Sequence, residues 1–136
     1  KNNEWQDWVS FRKKFKDISF VLVKGNHDIL SKEDYDEAEM TVINKSLESD
    51  NFIFSHEPHG DLPADKIQIY GHIHPSFRLK GKGGQSLKVP CFYIFDNSIV
   101  LPAFSQFTGS FQIKAKQGDR LLGCTKAGIF QISIKS

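Results

Sequence analysis

The sequence predicts an α/β fold in which helices cover two β-sheets, and three observations support this prediction. A segment with aromatic residues at helical spacing is followed by a short β-rich apolar run, which indicates a helix packed on a sheet. Three short apolar runs each end in a loop that carries histidine. Farther along, short apolar runs alternate with turns that contain Gly, Pro or Asn, and this pattern predicts antiparallel hairpins that form a second sheet.

The first half of the chain contains two predicted helices. Residues 4–15 place apolar side chains at mostly helical spacing, so we expect a helix whose aromatic stripe is buried against the sheet: Trp5, Trp8, Val9, Phe11 and Phe15. Ser31 precedes an acidic segment and is a typical N-cap residue, which predicts the start of a second, shorter helix.

Four apolar runs in the same half of the chain predict strands. Residues 18–23 and 51–55 are rich in Val, Ile and Phe, and the shorter runs 40–43 and 67–70 have the same character. The run at 18–23 is mostly apolar and rich in β-formers, so we expect a buried strand.

The histidines are concentrated where three of these strands end. All five histidines of the chain lie in the loops that follow residues 23, 55 and 70: His27, His56, His59, His72 and His74. In open α/β sheets, ligands bind at the carboxyl ends of parallel strands. The sequence therefore predicts that these loops form one shared site.

His72 and His74 are separated by a single residue. Side chains at i and i+2 of an extended segment point to the same side, so both imidazoles face one pocket if the backbone stays strand-like through Ile73. Two imidazoles at this spacing suggest a metal site. Gly71 lets the backbone approach a ligand because it has no Cβ.

The second half of the chain predicts short strands in hairpins. Apolar runs occur at residues 77–79, 87–89, 91–95 and 98–101, and turn residues separate them. Near the end of the chain, Gly123 and Gly128 flank short apolar pieces, and residues 130–134 alternate in polarity. This pattern predicts one more hairpin.

Composition excludes several classes of protein. With 136 residues, 39% hydrophobic and 12% aromatic, the chain is too apolar to be disordered, and its length fits one domain. The net charge of +2 does not by itself indicate a polyanionic partner, and no apolar run of about 18 residues predicts a membrane span. Cys91 and Cys124 form no C-x-x-C motif, so we expect reduced thiols in a cytoplasmic protein.

Three separated motifs carry a family resemblance. Gly25-Asn26-His27-Asp28, Ser55-His56 and Gly71-His72-Ile73-His74 resemble, in order and rough spacing, the later motifs of the calcineurin-like metallophosphoesterases. The phrases around them look most like those of the bacterial DNA-ligase-associated phosphoesterases, and the likeness extends to about Gly109. The resemblance implies a four-layer α/β/β/α sandwich, with residues 1–136 forming a single metallophosphoesterase domain.

One part of the family pattern is absent. The family begins with an Asp-x-His motif and a Gly-Asp motif, which supply further metal ligands and a bridging carboxylate, and neither motif occurs here. We therefore expect the chain to be the C-terminal portion of a longer polypeptide that lacks the first strands of the fold. Without the bridging carboxylate, the 136 residues alone should bind metal weakly or at a single site.

The resemblance also implies roles for particular residues. It assigns one divalent metal ion to Asn26, His56 and His72, and a second to His74, with Mn favoured over Fe, Zn or Mg. His27 would act as general acid or stabilise the leaving oxygen, and Asp28 would orient its imidazole. Two such ions neutralise phosphoryl oxygens and lower the pKa of an attacking water.

Each assignment has a simpler alternative. Asn26 and Asp28 are also common turn residues that bond to the local backbone, and His56 by itself is compatible with an ordinary buried histidine. His59 matches no ligand of the family, so a surface or substrate-facing role is expected for it. Glu57 is expected to shape its loop.

Residues 78–88 concentrate positive charge in a glycine-rich hairpin. Arg78 is the best candidate for a phosphate contact, because it lies nearest the histidine pair in sequence and a guanidinium can bind an oxyanion through two N–H groups. For Lys80 and Lys82 the favoured interpretation is a solvated edge-strand hairpin, where lysine blocks the addition of another strand.

These features predict a two-metal phosphoesterase that hydrolyses phosphodiester bonds, and phosphomonoesters as an additional substrate class. By resemblance, the substrate is nucleic acid during DNA repair, and DNA ligase, helicase or nuclease proteins are the expected partners, with no membrane association. One alternative is a small-molecule phosphodiesterase that acts on cyclic or linked nucleotides. Another is a non-catalytic scaffold with the same fold, although such a protein would not need the ligand histidines.

Overall fold

The computed structural model describes residues 3–105 and 108–134, and it is an α/β fold, as predicted. The chain divides into two compact units, Lys1–Leu47 and Glu48–Ser136. In chain order, the elements are α1 (Asn3–Arg12), β1 (Phe20–Val23), α2 (Lys32–Glu37), β2 (Met40–Ile43), β3 (Ser46–Ser49), β4 (Phe52–Ser55), β5 (Ile67–Tyr70), β6 (Pro75–Lys80), β7 (Ser86–Phe95), β8 (Ser98–Val100), β9 (Phe111–Gln112), β10 (Arg120–Thr125) and β11 (Gly128–Ile132).

The first unit contains a two-stranded parallel sheet made of β1 and β2. The predicted strand at 18–23 begins at Phe20, and Val21 remains 43% exposed, so the expectation of a buried strand was wrong. Among the residues that the structure describes, β1 pairs with β2 alone, and a strand with a single neighbour cannot be enclosed as a central strand is.

Helix α1 ends earlier than its aromatic spacing predicted. The helix stops at Arg12, so Phe15 lies outside it, and Phe11 and Phe15 are 45% and 38% exposed. Arg12 is buried instead: its guanidinium donates to the Phe15 carbonyl oxygen at 2.8 Å and lies 4.7 Å from the centre of the Phe20 ring. The prediction of a fully buried aromatic stripe was therefore wrong for Phe11 and Phe15.

Helix α2 begins where the sequence predicted. Ser31 is the N-cap, and its hydroxyl accepts a hydrogen bond from the backbone N–H of Asp34. The Asp34 carboxylate accepts in return from the Ser31 N–H at 3.2 Å. This reciprocal pair is a capping box, which satisfies backbone donors that the first helical turn leaves unpaired.

The second unit is built on a nine-stranded mixed sheet. Strands β4, β5 and β8 run parallel to one another, whereas β7, β10 and β11 continue the sheet as antiparallel neighbours. Strand β6 pairs with β7 on one side and with the short β9 on the other.

This topology corrects two expectations about the sheets. We predicted that the hairpin strands would form a sheet separate from β4 and β5, but β8 pairs with β5 and with β7 and so joins them into one sheet. The prediction of one shared site also presupposed a single sheet that contains β1, β4 and β5, whereas β1 pairs with β2 in the two-stranded sheet of the described residues. The predicted C-terminal hairpin is confirmed by the antiparallel pair β10 and β11.

The core of the second unit lies beneath the hairpins. Its fully buried cluster consists of Cys91, Ile113, Leu121 and Ile132, and Ile73, Phe77 and Tyr93 are among the side chains that pack against it. Cys91 and Cys124 are free thiols. None of the helices in the described ranges is long and apolar enough to cross a membrane.

Candidate metal centre

Two adjacent parallel strands of the second unit deliver a cluster of potential metal ligands. Strands β4 and β5 are in register, with Ser55 opposite Tyr70, so their following loops leave the sheet at the same level. The loops are joined by a hydrogen bond from the Gly71 N–H to the His56 carbonyl oxygen at 3.2 Å. This alignment brings together His56 from one loop and His72 from the other.

The cluster contains two imidazoles and one carboxylate. The distance from His72 Nδ1 to His56 Nε2 is 3.0 Å, and the two rings meet edge to face with their centres 4.9 Å apart. Glu57 Oε1 lies 3.9 Å from His72 Nε2. One potential ligand atom from each of the three residues lies within 4.8 Å of the other two.

The donor atoms of this cluster suit a divalent cation. Two nitrogens bound at about 2.1 Å to one tetrahedral ion lie roughly 3.4 Å apart, which is close to the 3.0 Å separation of the imidazole nitrogens. The accompanying carboxylate adds the negative charge that such a site needs, and His56 is only half-buried, so an ion has access. Imidazole and carboxylate donors accept Mn, Fe or Zn without strong selection.

The backbone that presents His72 is not extended. Strand β5 ends at Tyr70, and His72 has φ 63°, with the Ile73 N–H donating to the Gly71 carbonyl oxygen across it at 2.8 Å. His74 also has a positive φ, of 49°. The expectation that the chain stays strand-like through Ile73 was therefore wrong: a tight turn presents the two imidazoles.

Ile73 holds this turn against the core. Its side chain packs against the buried cluster below the hairpins, and its carbonyl oxygen accepts a hydrogen bond from the Phe111 N–H at 3.3 Å. Ile73 thus anchors the turn to the core, whereas His72 is exposed and His74 is half-buried. Non-glycine residues adopt positive φ only when their surroundings compensate for the strain, and this anchor supplies part of that compensation.

His74 makes a different contact from His72. Its Nδ1 lies 3.1 Å from the Gly109 carbonyl oxygen, and a carbonyl can only accept, so this nitrogen carries the proton. In the neutral ring, Nε2 then has a free lone pair. A histidine held in this way by a backbone carbonyl is the usual arrangement for a metal ligand.

Gln68, on β5, holds the loop that follows β4 through hydrogen bonds. This side chain is buried, its Oε1 accepts from the His59 backbone N–H at 2.8 Å, and its Nε2 donates to Ser98 Oγ at 2.8 Å. His59 itself is half-buried, and its Nδ1 has no hydrogen-bond partner in the part of the chain that the structure describes. Its predicted substrate-facing role stays a prediction.

The motif Asn26-His27-Asp28 lies in the first unit, in the loop that follows β1. Asn26 and His27 are exposed. The Asp28 carboxylate accepts from the Gly25 N–H at 2.7 Å, and the Asp28 N–H donates to the Gly25 carbonyl oxygen at 3.2 Å. Asp28 therefore closes a turn, which is the simpler role considered for it, and its orientation of His27 stays a prediction.

A basic surface lies on β6 and β7, beyond the histidine turn. It consists of Arg78, Lys80 and Lys88, which are all exposed, and the register places Arg78 directly opposite Lys88. Arg78 donates to Gln112 Oε1 at 3.3 Å and to Ser86 Oγ at 3.1 Å. Within residues 3–105 and 108–134, no carboxylate pairs with these three cations.

Two residues of the site were not recognised from the sequence. Glu57 was interpreted as a loop residue, although a carboxylate adjacent to a candidate ligand histidine was a usable signal. Gln68 gave no signal, because a polar residue inside a strand does not reveal its hydrogen-bond partners until the fold brings them together.

The chain resembles a solved nuclease structure. The crystal structure of Pseudomonas putida nuclease MPE matches it with a TM-score of 0.73 and 28% sequence identity, over 93% of this chain. The chain spans 60% of the length of that nuclease. No family model matches the sequence, and no curated protein matches it significantly. The fold is therefore similar to that of a nuclease.

Proposed function

We propose that this chain carries metal-binding loops of a metal-dependent phosphodiesterase that hydrolyses nucleic acid. The observation that carries the proposal is the cluster of His56, Glu57 and His72, whose ligand atoms lie within 4.8 Å of one another. The similarity to a nuclease structure supports nucleic acid as the substrate class.

The proposed cofactor is a pair of divalent ions, with Mn favoured over Fe, Zn or Mg. Asn26, His56 and His72 would hold the first ion, with Glu57 added because of its position, and His74 would hold the second. When bound, such ions neutralise the phosphoryl oxygens and lower the pKa of the attacking water.

The proposed role of His27 is to donate a proton to the leaving oxygen. Its imidazole is exposed, so a substrate has access to it, and imidazole is the side chain that most often transfers protons as a general acid or base. Asp28 would favour this role by holding the turn that carries His27, through its bond to the Gly25 N–H.

The basic surface is the proposed contact for the substrate backbone. Like charges directly opposite each other on neighbouring strands destabilise a sheet, yet Arg78 and Lys88 occupy such a pair. A phosphodiester chain that crosses this surface would neutralise both cations. Half or more of the hydrogen bonds in protein and DNA complexes are made to the sugar and phosphate groups.

Finer proposals rest on the motif resemblance. The first is a four-layer α/β/β/α sandwich in which both units belong to one domain. The second is a cytoplasmic role in DNA repair, with DNA ligase, helicase or nuclease proteins as partners. A substrate contact by His59 belongs with them.

Metal binding is the first test. Titration of the 136-residue chain with Mn²⁺, followed by calorimetry, should show about one ion per chain, and His56→Ala or His72→Ala should weaken binding at least tenfold. His59→Ala is the matched control, because His59 lies in the same loop and is not an expected ligand. Equal binding by all four proteins, or no binding by any, would overturn the proposed centre.

Hydrolysis is the second test. Turnover of bis-p-nitrophenyl phosphate in Mn²⁺ should be compared between this chain and a version extended upstream through Asp-x-His and Gly-Asp motifs. We expect the extended protein to bind about two ions and to lose most turnover with His27→Ala. An extended protein that binds no metal and is inert would favour the scaffold alternative.

A further inference from the structure

The first unit contains a cavity that the proposed metal centre does not use. Its volume is about 700 Å³, within the range of small-molecule sites in proteins. Trp5 and Trp8 of α1 line it together with Tyr35 of α2. Both tryptophans of the whole sequence therefore line this one cavity.

The aromatic walls are held in place by their own contacts. The rings of Trp5 and Tyr35 meet edge to face with centres 6.0 Å apart, and Trp8 meets Phe20 in the same way at 5.7 Å. Trp8 Nε1 also lies 3.2 Å from the sulfur of Met40, which lines the cavity as well. Rings fixed in this way offer a ligand a preformed apolar surface.

Tyr35 supplies a buried O–H donor without an acceptor. Only 4% of this residue is exposed, the Leu30 backbone N–H is directed at its oxygen, and the hydroxyl donates to no acceptor in the described part of the chain. A buried polar group that lacks a hydrogen-bond partner is destabilising, and a ligand that pairs with it removes that cost. Burial raises the pKa of the Tyr35 hydroxyl, so it remains a neutral O–H donor at physiological pH.

The cavity also reaches the motif that the sequence singled out. His27 and Asp28 line it, whereas Leu22 and Leu30 contribute aliphatic surface. The cavity therefore combines aromatic walls, a tyrosine whose hydroxyl is buried, and the loop proposed to carry the general acid.

We propose that this cavity binds a nucleobase of the substrate, next to the phosphate on which His27 acts. A heteroaromatic base offers faces that pack on indole and phenol rings, and ring nitrogens or carbonyl oxygens that accept from Tyr35. A purely aliphatic ligand would leave that hydroxyl unsatisfied. Stacking on aromatic side chains is a general mode of nucleic-acid binding, because every base has a π-face.

This assignment deepens the proposed function, since it rests on nucleic acid as the substrate. It would make Tyr35 a specificity-determining residue, because a fixed hydroxyl distinguishes bases by the acceptors that they present. Its test uses base binding in the absence of metal, so it does not depend on the metal centre.

Intrinsic tryptophan fluorescence of the 136-residue chain reports on this cavity alone. In EDTA, we expect saturable quenching by nucleoside 5′-monophosphates, with affinities that differ among the bases, and no change with ribose 5-phosphate, which lacks the base. Quenching that is absent, or equal with ribose 5-phosphate, would overturn the proposal.

Tyr35→Phe is the decisive variant, because it removes one oxygen and keeps the ring. Its affinity for the best nucleotide should fall about tenfold, the size of one lost hydrogen bond. Its thermal stability should change little, since the O–H proton has no acceptor in the described part of the chain. Tyr93→Phe removes a hydroxyl in the second unit and should leave the nucleotide affinity unchanged. Equal affinities of wild type and Tyr35→Phe would contradict the assignment of the hydroxyl.

The outcomes separate the two proposals. Base-dependent quenching in a protein that neither binds metal nor hydrolyses esters would support the cavity assignment and remove the proposed enzymatic function. Metal binding and hydrolysis without base-dependent quenching would support the proposed enzymatic function and overturn the cavity assignment.

Discussion

At the scale of single residues, the histidine turn shows how a candidate site stores strain. His72 and His74 both have positive φ, a conformation in which an L residue is about 1–2 kcal/mol less stable than in the right-handed region. The fold holds them there through Ile73 and the hydrogen bond across His72. A strained residue that is not needed for stability is a candidate for function.

We therefore predict that His72→Gly separates stability from metal binding. Glycine adopts φ 63° without strain, so the free energy of unfolding should stay equal or rise by up to about 1 kcal/mol, whereas Mn²⁺ affinity should fall at least tenfold. Urea denaturation and calorimetry measure the two quantities.

His72→Ala is the matched variant, because it removes the same ring but keeps the Cβ. It should lose metal affinity to the same extent without gaining stability. If His72→Gly were clearly less stable than wild type, the His72 imidazole would have a structural role and this prediction would be wrong.

Gln68 supports the same site from the interior. We predict that Gln68→Met, which keeps the side-chain length, leaves the His59 N–H and Ser98 Oγ without their partner and lowers the free energy of unfolding by about 1–3 kcal/mol. Mn²⁺ affinity should fall as well, because the loop that carries His56 loosens.

The exposed Gln131 on β11 provides a control for this substitution. Gln131→Met should change neither the unfolding midpoint nor the metal affinity. If Gln68→Met bound Mn²⁺ as wild type does, Gln68 would have no positioning role.

At the scale of elements, the pairing of β6 with β7 turns scattered basic residues into one surface. Arg78 and Lys88 are ten residues apart in sequence, yet they are Cα partners in the ladder. Lys88 also reaches the Ser110 carbonyl oxygen at 3.3 Å, in the segment that continues into β9. The basic surface thus spans β6, the strand that follows the histidine turn, and its neighbour β7.

We predict that Arg78→Gln weakens the binding of single-stranded DNA and reduces its salt dependence. Loss of one phosphate contact should lower the slope of log K against log salt by about 0.7. Fluorescence anisotropy with a labelled oligonucleotide at several salt concentrations measures this slope.

Lys126→Gln, in the turn between β10 and β11, is the charge-matched control and should leave the slope unchanged. The same assay tests the small-molecule alternative, because a phosphodiesterase of that class should show no salt-dependent binding of DNA. Equal slopes for wild type and both variants would count against the basic surface as a nucleic-acid contact.

At the scale of the whole molecule, the buried Cys91 thiol and the partly buried Tyr93 hydroxyl make stability depend on pH. Burial raises the pKa of the Cys91 thiol to about 11, with the neighbouring Cys124 contributing. Burial, followed by the hydrogen bond to the Asp119 carboxylate, raises the pKa of Tyr93 to about 12. Both groups stay protonated in the folded state at pH values where the unfolded chain has lost those protons.

We therefore predict that the free energy of unfolding falls as pH rises from about 9 towards 11. In that window the unfolded state binds fewer protons than the native state, so the slope of stability against pH is negative. For Cys91, the loss is on the order of 2 kcal/mol. Urea denaturation followed by far-ultraviolet circular dichroism at pH 8 and pH 10.5 measures it.

Cys91→Ala provides the control for this pH effect. Its stability at pH 8 should be lower because of the cavity that it creates, but the decline between pH 8 and 10.5 should be smaller than in wild type. An unchanged decline would mean that Cys91 does not cause it.

The sequence by itself determined the local features of this protein. The α/β class, the capped start of α2, most strands and the C-terminal hairpin follow from periodicity, capping and turn residues, which act over a few neighbouring positions. The concentration of all five histidines in three loops was visible in the same way, whereas the assignment of His56 and His72 to one ion came from the motif resemblance.

Only the tertiary structure decided how these parts combine. The pairing of β8 with both β5 and β7 joined the strands into one sheet, and β1 paired with β2 instead of with β4 or β5. Glu57 entered the cluster and Gln68 came to lie beneath His59 because the strands are parallel and in register, and sequence periodicity does not encode which strands become neighbours. The exposure of Phe11 and Phe15 could not be predicted for the same reason. A helical pattern shows which face of a helix is apolar, but it does not show which element covers that face.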